Sequence, residues 1–192
     1  MPTRNLTREQ ALEEYLIYRI RLRELLDMGQ VLRDIKECRY APHRRARGSE
    51  EFSDTVGHAL MGLFASLLDP QSHALDAFDV WLVLFPRKKG KINKTWKEVK
   101  PHVQLIRDYR NDIACHANKS LRRYGQTLVK FQDGRSGIVK AMQAVIDLAA
   151  ELRRDEPTAI PKLRSEIEPI LKKCCPTLSA QQIEGLKDYF LA

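Results

Sequence analysis

The chain has 192 residues, 43% apolar and 30% charged, which suits one domain with a packed core and is too apolar for a disordered chain. No apolar run approaches the ~18 residues needed to cross a bilayer, and the polar start MPTRNLTREQ lacks the apolar segment of a secretory leader, so no membrane partner and a cytoplasmic location are expected. The formal net charge of +8 fits an anionic partner, nucleic acid being the commonest cytoplasmic polyanion; on charge alone a solvated surface with basic loops fits equally well.

Apolar residues recur near every 3.6 positions. Leu12, Tyr15, Leu16 and Ile20, then Leu22, Leu25, Leu26, Val31, Leu32 and Ile35, predict one long first helix. Thr7 is its expected N-cap, with Gln10 as capping-box partner, and the Ala-Pro and Arg-Gly-Ser turns near 41–49 are expected to end it. A second helix is predicted from about Glu50 to Leu68, stopping at Asp69-Pro70.

The stretch SHALDAFDVWLVLFP follows, almost wholly apolar from Phe78 to Phe85. Periodicity alone allows a buried strand there. The helix-forming Ala74–Ala77 and the lack of a partner strand favour a central buried helix broken by Pro86. RKKGKINK then reads as a lysine loop, and a helix is expected from about Thr95 to Asn118. YGQTLVKFQDGRSG, with its three glycines, reads as a loop or small hairpin before a helix through Ile138, Met142, Val145, Ile146, Ala149 and Leu152.

Beyond Arg153, Pro157, Pro161, Pro169 and Pro176 punctuate short helical pieces. The predicted architecture is all-α: a bundle of four to five helices over residues 1–155 and a short helical extension, 156–192, packed on it. Cys38, Cys115, Cys174 and Cys175 show neither CxxC spacing nor a Cys/His quartet, so all four are expected reduced, with no metal and no cofactor.

Division of the charge along the chain is informative. Residues 1–38 and 138–192 each sum to zero, 39–47 carry +4, 48–86 carry −6, 87–100 carry +6 and 101–137 carry +4. The basic block therefore flanks RDYRNDIACHANKS, residues 107–120. On an ideal helix Arg110 and His116, six residues apart, lie about 120° apart and do not share a face, whereas Asp112 and His116 do. Two copies meeting across a dimer axis, or a helix that unwinds near His116, would bring the arginine and the histidine together.

Arg-Asn followed by His at a helix end, after HALDAFDVWLVLFPRKKGKI and TWKEV, resembles the HEPN superfamily, and more closely its abortive-infection-type bacterial members. The resemblance spans roughly residues 50–125. It implies a small helical bundle that dimerises with two motifs facing one cleft, and a metal-independent endoribonuclease of toxin–antitoxin or phage-defence systems, with an antitoxin protein among its partners. Arg110 and His116 match the signature residues, and Asn111 matches the polar residue that follows the arginine. One subgroup carries a tyrosine soon after the histidine; here Ala117-Asn118-Lys119 follow and the nearest downstream tyrosine is Tyr124, so regulation through that tyrosine is not implied.

The residue types suit the chemistry. RNA supplies its own 2′-hydroxyl as nucleophile, so the protein needs a base, an acid and charge stabilisation. A neutral His116 can accept the hydroxyl proton, an effect typically worth about 10²–10⁴-fold. Arg110 can clamp the scissile phosphate, and Asn111 can orient a phosphate oxygen or the motif itself. Lys88, Lys89, Lys91, Arg107 and Lys119 are candidate RNA contacts; the lysines read equally as a basic rim. Asp79 is either a buried packing anchor or a partner of the motif, and Trp81 and Trp96 read as core or interface residues rather than base-stacking platforms. Three functions stay open: a HEPN-type ribonuclease, a catalytically silent module binding RNA or a nucleotide, and a helical interaction protein whose motif builds a dimer interface.

Overall fold

A computed structural model describes residues 6–37, 47–68, 77–114 and 120–191, all helices and short connections, with no strand among them. α1 (Arg8–Glu37) begins at the expected cap: Thr7 Oγ1 accepts from the Gln10 backbone N–H at 3.2 Å, and Gln10 Oε1 accepts from the Thr7 N–H at 3.1 Å. α2 (Arg47–Leu68) starts earlier than expected, because Arg47-Gly48-Ser49 form its first turn instead of a connection. The Ala-Pro turn and Asp69-Pro70 lie outside the described residues.

α3 (Ala77–Leu84) is helical, as its neighbours favoured, and buries Ala77, Phe78, Val80, Trp81 and Leu84 against α1 and α2. The Phe78 ring meets Trp81 edge-on at 5.2 Å and Trp96 at 5.0 Å, tying α3 to the helix that follows. Both tryptophans belong to the packing, Trp81 fully buried and Trp96 against its edge. Asp79 is half-buried in the first turn of α3.

The lysine stretch is not a loop. Pro86–Lys88 form a single 3₁₀ turn and α4 (Lys89–Val99) begins at once, since Ile92, Thr95 and Val99 repeat at helical spacing and bury one face. Pro101 has no N–H to give, and the chain tightens to 3₁₀ geometry over Lys100–His102 before α5 (Val103–Tyr109). The expected single helix from Thr95 is thus a segmented arm.

The largest departure is α6, one helix of 39 residues from Leu121 to Ala159 that absorbs the loop or hairpin expected at 124–137. Thr127, Phe131, Gly134, Ile138, Ala141, Val145, Leu148 and Leu152 step by four and three residues through the glycines, which gives a continuous inward seam. Gly134 and Gly137 are places of close approach. A Cβ on Gly134 would fall 2.7 Å from Leu105 Cδ2, and one on Gly137 would fall 2.4 Å from His102 Cε1. The arm from α4 through α5 runs antiparallel along α6 in a fixed register: Lys88 at Glu151, His102 at Gly137, Leu105 at Gly134 and Tyr109 on Phe131.

The boundary expected at 155/156 falls inside α6. α7 (Leu163–Cys174) and α8 (Ala180–Leu191) extend the same core through Leu163, Ile167, Ile170, Leu171 and Ile183. Pro161 and Pro176 sit in turns, but Pro157 lies in the last turn of α6 and Pro169 inside α7, so only half of these prolines interrupt helices. Tyr15 Oη donates to Glu156 at 2.5 Å and Arg19 pairs with Glu156 at 2.6 Å, fastening α1 to the end of α6. Burial, and then the Glu156 charge, raise the Tyr15 phenol far above its ordinary range, so it stays a donor. Among the described residues no helix is long and apolar enough to cross a membrane.

Candidate functional site

The arm changes character at the motif. α5 keeps α geometry through Tyr109, and Arg110–Ala114 form a π-helical turn packed against α2, α5 and α6. Wide i→i+5 turns are rare and sit disproportionately at functional places, because the insertion displaces side chains from the regular face. Its first residue is Arg110.

Three contacts hold the turn. Tyr109, buried, stacks tilted on Phe131 of α6 at 4.0 Å and meets His58 of α2 edge-on at 5.8 Å. Asp112 is buried, 3% exposed, and faces α6: its carboxylate accepts from Thr127 Oγ1 at 2.9 Å and from Arg123 Nε at 3.0–3.1 Å. Removing a carboxylate from water is costly unless it is paired and hydrogen-bonded, and here both conditions are met. Ser120 caps the start of α6, its Oγ accepting from the Arg123 N–H at 3.4 Å, and so helps set the guanidinium that Asp112 uses.

Within the turn, Arg110 Nε donates to Asn111 Oδ1 at 3.1 Å, and both side chains are half-buried. Asn111 therefore orients the guanidinium, a motif-positioning role. Arg107 is half-buried one turn earlier on α5. His116 and Lys119 lie outside the described residues, as does Cys115. Arg107, Arg110 and Asn111 thus gather at the motif end of the arm.

The lysine candidates sit elsewhere. Lys88 pairs with Glu151 at 3.0 Å and Asp155 at 2.8 Å, and Lys91 also pairs with Glu151. Hydrogen bonds from Lys91 and Lys88 hold the Glu151 carboxyl below its ordinary range, and those to Asp155 and Glu151 raise Lys88. Glu151 is 24 residues beyond Thr127 on one helix, about 36 Å at 1.5 Å per residue. Lys88 and Lys91, with exposed Lys89 between them, therefore occupy the far end of the arm from Arg110, and two of the three engage acidic groups of α6.

Sequence reasoning did not anticipate Arg123 and Thr127 as anchors, nor His58 beside Tyr109. A signal existed for Thr127, which falls on the four-three seam of α6; none existed for His58. Among the described residues no three His, Cys, Asp or Glu side chains gather as a metal-ligating cluster. Cys174 is exposed and Cys175 half-buried, both free thiols, and burial pushes the Cys174 thiol up. Comparison of the chain with models of known families, with curated proteins and with solved structures finds no match.

Proposed function

We propose that this chain is a metal-independent endoribonuclease of the HEPN type, a toxin or phage-defence effector acting in the cytoplasm as a two-fold homodimer. The observation that carries the reading is the break from α to π geometry at Arg110. The sequence places Arg110 and His116 on different faces of an ideal helix, and the wide turn ends that constraint where the motif begins. The buried Asp112–Arg123–Thr127 link holds the turn to a 39-residue helix, the rigid support that a site aligned to sub-ångström tolerance needs.

In this reading Arg110, oriented by Asn111, clamps the scissile phosphate and stabilises the charge that develops on it. His116 takes the proton from the 2′-hydroxyl, which attacks the adjacent phosphorus; the 5′-oxygen leaves with a proton, and a 2′,3′-cyclic phosphate remains. Arg107 contributes positive potential at the same end, Lys119 follows the histidine, and an antitoxin protein is the partner that restrains the activity.

A second reading rests on a specific observation. Lys88 and Lys91 are engaged by Glu151 and Asp155 far from the motif, which favours a silent module whose RNA or nucleotide contacts are confined to the arginine end. Incubation of purified protein with single-stranded RNA in excess chelator separates the two. The ribonuclease yields 2′,3′-cyclic phosphate ends and spares 2′-O-methylated RNA. Bound but intact RNA favours the silent module, and cleavage that requires added metal overturns the mechanism.

A further inference from the structure

A second cationic feature lies away from the motif, where α1, α6 and α8 meet. The shallow groove there is lined by Arg19, Ile20 and Arg23 of α1, Arg153 of α6, and Tyr189 and Phe190 of α8. Three guanidiniums line it and no carboxylate does. Arg19 and Arg23 are spaced i,i+4 on one helix face, an arrangement that is mildly unfavourable for like charges unless an anion joins them.

Arg19 is the fixed member. Its side chain is 8% exposed, Nη1 pairs with Glu156, and Nη2 donates to the Leu191 carbonyl at 2.8 Å. Its Nε is buried and has no hydrogen-bond partner. A buried donor without an acceptor is costly, and an oxyanion is the kind of acceptor that would satisfy it. Arg23 lies over the Tyr189 ring at 4.9 Å, a stacking that pre-orders a planar fork for an incoming ligand. Tyr189 is itself half-exposed and edge-on to Phe190 at 5.9 Å, so an aromatic surface borders the cationic one.

We propose that this groove binds a small polyphosphate anion, as free pyrophosphate or as the phosphate chain of a nucleotide, at a site separate from the π-turn. A lone carboxylate is satisfied by one bidentate arginine, whereas three forks suit an anion carrying several charges and oxygens. The α8 wall closes the groove over a short length, which fits a small ligand better than a strand that must track onward.

Calorimetric titration of the full chain with inorganic pyrophosphate and, separately, with ATP tests the proposal. Saturable one-to-one binding is expected, weakened at least tenfold by Arg23→Ala and by Arg153→Ala and unchanged by Arg110→Ala. Tighter binding of ATP assigns the site to nucleotides, and equal binding assigns it to free polyphosphate; both uphold it. No saturable binding of either probe, or binding indifferent to Arg23 and Arg153, overturns it. Should Arg23→Ala fail to fold, Arg23→Lys keeps the charge and loses the fork; undiminished affinity in that variant also overturns it. The readout is ligand binding without RNA, so its failure and that of the ribonuclease reading are distinguishable.

Discussion

Substitution of Gly137 by alanine tests the register that carries the motif to its place. A Cβ there would stand 2.4 Å from His102 Cε1, 2.9 Å from Nε2 and 3.2 Å from Nδ1, so the ring as a whole must move or the arm must lift from α6. Overpacking of this kind costs about 1–3 kcal/mol. Against it stands the helix-propensity gain of alanine over glycine, about 1 kcal/mol. Gly125, on the same helix with nothing within 4 Å of its Cβ position, receives the gain alone. Urea titration should therefore find Gly125→Ala stabilised by about 1 kcal/mol and Gly137→Ala less stable than Gly125→Ala by about 1–3 kcal/mol. In a His102→Ala background the clash is gone, and Gly137→Ala should become stabilising by about 1 kcal/mol. Equal effects at the two glycines in the wild-type background would refute the register, and so would a penalty at Gly137 that persists without His102.

Asp112→Ala removes a buried acceptor from Thr127 and Arg123 and should cost about 2–4 kcal/mol in urea titration; a loss under about 0.5 kcal/mol would show that the carboxylate does not hold the turn. Hydrogen bonds from Lys172 and Lys187 hold the Glu168 carboxyl below its ordinary value of 4.5, and those from Lys187 and Arg164 do the same for Glu184. Since both pKa values fall on folding, their contribution is full above pH 4.5 and lost as pH drops through the folded values. Amide exchange across α7 and α8 should accelerate only on that acid limb, and the double change Glu168→Gln, Glu184→Gln should flatten it. If RNA binds at the lysine end, Lys89→Ala should reduce the salt slope by about 0.7, the single-strand value per phosphate. Lys88→Ala should reduce it less, because Glu151 and Asp155 compete for that ammonium; equal reductions would show that they do not.

The helices themselves were legible wherever apolar spacing and caps agreed. Thr7 and Gln10 announced the start of α1, and the apolar run of Phe78–Phe85 resolved as a helix because its neighbours are helix formers. What misled was glycine and lysine content. Gly134 and Gly137 resemble turn residues in composition, yet they sit along the four-three seam of α6, where a missing side chain lets His102 and Leu105 approach. RKKGKINK resembles a loop for the same compositional reason, although Ile92, Thr95 and Val99 carry a helical face through it. At the site, the sequence singled out Arg110 and Asn111, and the link between them is present in the structure. It could not show that Asp112 turns toward α6, because that depends on the long-range register of α5 against α6. Charge clustering also concealed distance: the lysines and the motif are neighbours in sequence and lie at opposite ends of one arm.

The central claim is tested most directly by cleavage of one single-stranded RNA in excess chelator by wild type, Arg110→Ala and His116→Ala, with RNA affinity measured for all three. The account predicts that each substitution slows cleavage by about 10²-fold or more, that His116→Ala keeps its affinity, and that neither variant unfolds. Cleavage undiminished in both variants would contradict it.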